Sequence, residues 1–220
     1  MAIRVLVSGA SGKMGQCVVK AIQDSPDFVL AGTASRTEHL LDSIQQYSPD
    51  VVVDFTHPDV AFQHAKTIIE QNVHPVIGTT GFSRQQIGTL QAACAAIGLG
   101  GLIAPNFSLG TVLMIKYAAE MAKYFSDIEI IEMHHAGKKD SPSGTALYTA
   151  AALSDKPIPI HSVRLPGLIA HQQILFGGLG ETVTFRQDTS DRQCFMPGVL
   201  LACTRAMTLD RLVYGLEELL

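Results

Sequence analysis

The opening fifteen residues restrict the fold of this chain more than any other stretch. Ile3, Val5, Leu6 and Val7 form a strand-like run that passes at once into a turn with glycines at 9, 12 and 15, and residues 12–24 then read as a helix. The pattern recurs. Residues 28–33, 51–55, 75–78 and 102–104 are strand-like, and residues 37–46, 59–71 and 84–97 between them are helical. Pro58 suits a helix first turn, where its missing N–H costs nothing. Ser83 and Gln86 make a capping box for the helix that follows them. Alternation at this spacing predicts a parallel sheet with right-handed crossovers.

The character changes after Asn106. A long amphipathic helix over residues 109–125 carries Val112, Ile115, Ala119 and Ala122 on one side. Strand-like runs follow at 127–133, 160–165, 172–176 and 181–187, the last two separated by residues 177–180 as an antiparallel hairpin. Helices are expected over residues 191–206, where Pro197 interrupts the run, and over residues 209–220. The fold class is therefore α/β. A Rossmann-type parallel-sheet domain, residues 1–107 completed by about 207–220, is followed by an α+β domain with a mixed, open sheet, residues 108–206.

Several function classes fall away on composition. With 47% hydrophobic and 16% charged residues the chain is globular, and a net charge of −4 gives no basic face for nucleic acid. No apolar run reaches the ~18 residues of a membrane span, and the N-terminus enters a strand directly, so a soluble, cytoplasmic protein is expected. Cys17, Cys94, Cys194 and Cys203 are scattered and read as reduced thiols. The eight histidines have no metal-site spacing.

Two segments carry chemistry. In the turn Gly9-Ala10-Ser11-Gly12-Lys13-Met14-Gly15, Gly9 permits the tight turn, Gly12 lets the backbone approach a pyrophosphate and Gly15 allows close helix–strand packing. The whole turn is taken as cofactor-binding. No acid stands at the end of the second strand until Glu38. Arg36 can pair there with a 2′-phosphate, which favours NADPH, with NADH as the alternative. Phe55 and Thr56 end a third strand on the same edge. The second segment, residues 132–146, places His134, His135, Lys138 and Lys139 just before the Ser143-Gly144-Thr145 helix start. Lysine charge and unpaired helix N–H groups aimed at one small volume make a carboxylate receptor, and a histidine there can move protons near neutral pH.

Five blocks in this order resemble the dihydrodipicolinate reductases, more fully the 4-hydroxy-tetrahydrodipicolinate reductases, of bacterial lysine and diaminopimelate biosynthesis. They are the glycine turn, Val53-Asp54-Phe55-Thr56, Gly78-Thr79-Thr80-Gly81-Phe82, Ala104-Pro105-Asn106-Phe107-Ser108, and residues 132–146. The resemblance implies that Gly78, Thr79 and Thr80, and Ala104, Pro105, Asn106 and Phe107, lie along the nicotinamide half of the cofactor. It makes His134 the proton donor, Lys138 a second catalytic participant and His135 a substrate contact. Ser143, Gly144 and Thr145 then hold a carboxylate of a cyclic dicarboxylate substrate, and a homotetramer forms through the second-domain sheet. Arg192 stands where the family has an arginine. Two stretches, between residues 28 and 51 and over residues 151–164, are shorter than the family leads one to expect. Other readings are a different small-molecule dehydrogenase, for which no cysteine stands at a strand end, and a regulatory NADP-binding module without turnover.

Overall fold

The computed structural model describes residues 2–35 and 38–220. One compact unit comprises its residues up to Phe107 together with Phe195–Leu220, and the other comprises Ser108–Cys194. In the first unit β1 (Ile3–Ser8), α1 (Lys13–Gln23), β2 (Phe28–Ala34), α2 (Leu40–Tyr47), β3 (Val51–Asp54), α3 (Pro58–Glu70), β4 (His74–Ile77), α4 (Arg84–Ile97) and β5 (Gly101–Ile103) alternate as the sequence predicts. Val5, Leu6, Val7, Val51, Val52, Val53, Val76 and Ile77 are all fully buried. A parallel sheet covered on both faces needs such unbroken apolar runs, and this is why its strands are legible in the sequence. The strands are parallel, with β2 on one side of β1 and β3 on the other. The order therefore reverses beside β1, which opens a crevice at the strands' carboxyl ends, where such sheets take ligands.

In the second unit α5 (Leu109–Met121), β6 (Asp127–His134), α6 (Gly144–Leu153), β7 (Ile160–Arg164), β8 (Ala170–Gly178) and β9 (Glu181–Thr189) follow in order. The sheet runs β7-β6-β8-β9, with β6 and β7 parallel and the other pairs antiparallel, so it is mixed and open. Met114 and Ala118 of α5 and Ala146 of α6 pack on Ile128, Ile130, Ile174 and Phe176 of one sheet face. Helix α5 ends earlier than its periodicity predicts. Phe125 has left the helix and packs edge-on against Phe176 at 5.9 Å, a burial that outweighs another helical turn.

The chain's last part departs most from the sequence reading. The return to the first unit comes at Phe195, about twelve residues before the expected position. Arg192–Phe195 form a 3-10 turn, and Pro197 sits in the first turn of α7 (Met196–Ala206), starting a helix that the sequence reading has it interrupt. The expected helix over residues 209–220 is instead β10 (Leu212–Tyr214) and a short 3-10 turn, Leu216–Leu219. β10 pairs in parallel with β5 and buries Leu212 and Val213, so completing the sheet overrides local helix propensity. Gly215, at φ +98°, breaks the run where a helix would continue.

Candidate active site

The first unit holds a cavity of about 430 Å³, lined among others by Gly9, Gly12, Ser35, Phe55, Thr56 and His64. That is large enough for part of a dinucleotide. Gly9 has φ +81°, and a Cβ there would stand 2.5 Å from the Phe55 carbonyl oxygen. A Cβ on Gly15 would lie 2.1 Å from the Gly9 carbonyl oxygen, so only glycine lets α1 begin this close to the turn. Gly12 caps α1 without a side-chain hydrogen bond, which leaves the first-turn N–H groups for an anion. These features fit a pyrophosphate.

Behind the cavity wall lies a fully buried carboxylate, Asp54, at the end of β3. It accepts from Thr56 Oγ1 at 2.7 Å, His64 Nδ1 at 2.8 Å, Thr79 Oγ1 at 3.0 Å and the Thr56 N–H at 3.1 Å. The Thr79 hydroxyl also accepts from the Thr56 N–H at 2.9 Å, so the ends of β3 and β4 and helix α3 are tied to one group. Burial pushes the Asp54 carboxyl up, but the bonds from His64 and Thr56 outweigh it and hold it below the ordinary carboxylate range. Next to this set, Phe55 packs on Phe107 with ring centroids 5.6 Å apart. A Cβ on Gly78 would stand 2.1 Å from the Phe55 ring.

In the second unit the chemistry collects at the end of β6. Alternation puts Ile128, Ile130, Glu132 and His134 on one face of that strand. The register pairs His134 with Arg164 of β7, so the guanidinium reaches the same face. Glu132 is fully buried. It accepts from Arg164 Nη2 at 2.7 Å on one oxygen and Arg164 Nη1 at 2.9 Å on the other, from His134 Nδ1 at 2.5 Å, and from the Ser143 N–H at 3.3 Å. Burial raises the Glu132 carboxyl, but bonds from Arg164, Ser162 and His134 more than compensate, so it is held below its usual range. Burial lowers the His134 imidazole, with the Lys138 and Arg164 charges acting in the same direction. Glu132 pulls the other way without overcoming them, so at rest His134 is neutral near pH 7.

The loop between β6 and α6 is braced from within. Lys138 Nζ lies 2.8 Å from Asp140 Oδ1, and Arg164 Nη2 donates to the Asp140 carbonyl at 2.8 Å. Lys138 in particular holds the Asp140 carboxyl below its ordinary value, helped by the Gly144 backbone. The receptor of lysine and helix start thus already engages one carboxylate of its own chain. Ser143 is buried, with its Oγ accepting from the Ala146 N–H at 3.2 Å as the cap of α6. Gly144 is exposed and Thr145 half-buried.

The sequence matches the family model described as dihydrodipicolinate reductase, N-terminus, over residues 3–107, and that described as dihydrodipicolinate reductase, C-terminus, over residues 110–220. The chain belongs to the dihydrodipicolinate reductase family. It is 48% identical to the 4-hydroxy-tetrahydrodipicolinate reductase of Coxiella burnetii strain RSA 493 and 44% identical to that of Legionella pneumophila strain Lens, with all of each chain covered. A solved structure described as dipicolinate-bound dihydrodipicolinate reductase from Paenisporosarcina sp. TG-14 superposes with a TM-score of 0.91 at 39% identity, again over all of both chains.

Within this reductase-family chain the sequence-predicted residues occupy three kinds of position. Gly9, Ser11, Gly12, Phe55 and Thr56 line the first unit's cavity, whereas Ala10, Lys13, Met14 and Gly15 belong to the same turn without being among its lining. Thr79 is buried and acts on Thr56, and Thr80 is exposed. Ala104 and Phe107 are buried, and Pro105 and Asn106 half-buried, just past β5. Arg36 lies outside the described residues. In the second unit His134 and Lys138 are partly buried near Glu132 and Asp140, while His135 is exposed. Asp54, His64, Glu132 and Arg164 are absent from the sequence-derived set. Asp54 and Glu132 each left a signal, an acid at a core-facing strand position. Arg164 left none, because its partner is 32 residues away in sequence and is met only through parallel pairing.

Proposed function

We propose that this chain is a 4-hydroxy-tetrahydrodipicolinate reductase of lysine and diaminopimelate biosynthesis, using NADPH and accepting NADH. The observation that carries the reading is the His134–Glu132–Arg164 cluster beside Lys138 at the start of α6, since it joins a proton carrier to a receptor for a diacid. Lys138, His135 and the N–H groups at Gly144 and Thr145 are the clamp for a cyclic dicarboxylate. Ser143 shapes that helix start as its cap. An arriving carboxylate competes with Asp140 for the Lys138 ammonium.

The glycine turn, Ser11 and the α1 N-terminus would hold the pyrophosphate, with Phe55, Thr56, Thr79 and the segment at 104–107 toward the nicotinamide. When bound, the reduced cofactor supplies the hydride. The ring carbon beside the one reduced then needs a proton, and His134 would give it. Arg36 favours the 2′-phosphate of NADPH in this reading. The Glu38 carboxylate, also at the cavity and bonded to the Ser35 N–H at 2.6 Å, supports acceptance of a ribose hydroxyl and hence NADH. A homotetramer in the cytoplasm, built on the open second-unit sheet, completes the proposal; it would cover β9, an edge strand of the kind that proteins protect from further pairing.

The deciding assay follows loss of NADPH absorbance with substrate made in situ by the preceding synthase. Turnover dependent on that synthase supports the reading, and no turnover with either cofactor refutes it. In the same assay Arg36→Ala is expected to weaken NADPH more than NADH.

Proton uptake gives an independent check. His134 is neutral at rest, and a bound dianion favours its charged form, so dipicolinate binding at about pH 7 should take up a fraction of a proton. Calorimetry in buffers of different ionisation enthalpy measures that fraction. His134→Gln should abolish it, and equal uptake by the variant would assign the proton elsewhere.

A further inference from the structure

We propose that Glu132 is the positioning residue of the proton-transfer step: it takes the Nδ1–H of His134 and so leaves Nε2 as the ring nitrogen that exchanges a proton with the substrate. The inference rests on the reading of His134 as proton donor and extends it to a residue two positions earlier on the same strand.

A carboxylate can only accept here, so its 2.5 Å contact with Nδ1 requires a proton on that nitrogen. The acceptor is itself immobilised. Arg164 grips both Glu132 oxygens, a planar fork that one lysine could not reproduce. The Ser143 N–H adds a third fixed donor. Arg164 spends its remaining terminal hydrogen bonds on the carbonyls of Val163 and Asp140, so it braces the cluster and is not placed to clamp a diacid. A fully buried carboxylate is costly unless compensated, and here Arg164 compensates it without help from His134. The imidazole can therefore be neutral or charged without stranding Glu132.

Charged groups reach His134 from three sides: Glu132 on its own strand, Arg164 from β7, and Lys138, already paired with Asp140, from the loop. Helix α6 and strand β8 bring Thr149 and Gln172, which are uncharged and bonded to each other at 2.8 Å. Among the described residues, Glu132 is thus the anion that hydrogen-bonds the ring. In the step itself the Nε2–H bond breaks and its electron pair stays on nitrogen. The new C–H bond forms with the pair displaced when the neighbouring ring carbon takes the hydride. Afterwards His134 is neutral, still with Nδ1–H on Glu132.

The test combines histidine 15N NMR with kinetics on Glu132→Gln and Arg164→Lys. In the wild-type enzyme at neutral pH, His134 should show the Nδ1–H tautomer. Glu132→Gln should lose that preference, lower kcat on the order of 10²-fold and move the alkaline limb of kcat to lower pH, because the imidazolium has lost its anion. Arg164→Lys should shift the limb in the same direction by less. Cofactor affinity, which reports on the other unit, should hold within about threefold and serves as the folding control. If Glu132→Gln does not fold, the wild-type tautomer and the Arg164→Lys limb decide. An Nε2–H tautomer in the wild type, or an unmoved limb in a folded variant, overturns the proposal. An Nδ1–H tautomer that depends on Glu132 in a protein without reductase turnover would uphold the positioning and reject the proposed function instead.

Discussion

Replacing His134 with glutamine should lower kcat by about 10²–10⁴-fold, the range that a positioned proton donor contributes. Glutamine can still donate to Glu132, so the buried carboxylate keeps a partner and the thermal midpoint should move little. It has no ionisation in the working range and cannot deliver a proton. The loss should therefore fall on kcat, with the KM values for dicarboxylate and cofactor changing much less, since binding common to ground and transition states is retained. The pH dependence fixes the sign. A proton donor is active below its pKa, so wild-type kcat should fall as pH rises through the His134 value in the complex. That alkaline limb should vanish in the variant. Steady-state kinetics across pH checks both, and a variant within threefold of wild-type kcat would remove His134 from the chemistry.

The second large effect is expected in the other unit. Asp54→Ala deletes an acceptor that serves Thr56, Thr79 and His64. Leaving buried donors without a partner costs about 1–3 kcal/mol each, and partial rescue of Thr56 by Thr79 suggests a total of about 3 kcal/mol. Because Thr56 and His64 line the cavity, NADPH affinity should weaken by at least about tenfold, an ~1.4 kcal/mol change. kcat at saturating cofactor should change less, since the His134 cluster is built in the second unit. Asp54→Asn keeps an acceptor for the two threonines and should be milder on both counts. It also isolates the charge. The folded Asp54 carboxyl lies below its ordinary value, so its contribution to stability is present above the unfolded pKa and is lost as pH falls through the folded one. The wild-type unfolding midpoint should fall more steeply on acidification below about pH 4 than that of Asp54→Asn. Denaturant unfolding and fluorescence titration with NADPH measure these changes. Unaltered cofactor affinity in Asp54→Ala would show that the carboxylate does not organise the cavity.

The two buried carboxylates share a design. Asp54 ends β3 and Glu132 lies two residues before the end of β6, each meets a histidine through Nδ1 at 2.5–2.8 Å, and each ties neighbouring segments to its strand. In the proposed function, Asp54 fixes the wall of the cofactor cavity, and Glu132 fixes the proton carrier. Both lie in segments that the sequence singled out, but neither was given a role there, although their neighbours Phe55, Thr56 and His134 were. A motif reader looks for groups that touch a ligand, and these two act one layer behind them.

Much of the fold was legible for an opposite reason. The runs Val5–Val7, Val51–Val53 and Val76–Ile77 of β1, β3 and β4 are buried on both faces, so they had to be apolar, and the glycines at 9 and 15 had to be glycine because a Cβ would strike backbone. The Ser83 capping box and the strand-to-hairpin alternation of the second unit are equally local. The final dozen residues were misread because Leu212-Val213-Tyr214 is too short a run to reveal its state. Its burial beside β5 decides the matter.

The order of residues by itself determined a parallel-sheet first unit, a tight glycine turn between its first strand and helix, and a loop carrying histidine, lysine and a helix start. It could do so because periodicity, turn chemistry and capping act over a few positions. The tertiary structure alone decided that Glu132 meets Arg164, that Asp54 gathers two threonines and a histidine, and that the chain closes its sheet with a strand. Those outcomes depend on register and burial between segments far apart in sequence, where one carboxylate becomes a solvated charge or a fixed acceptor according to what folds over it.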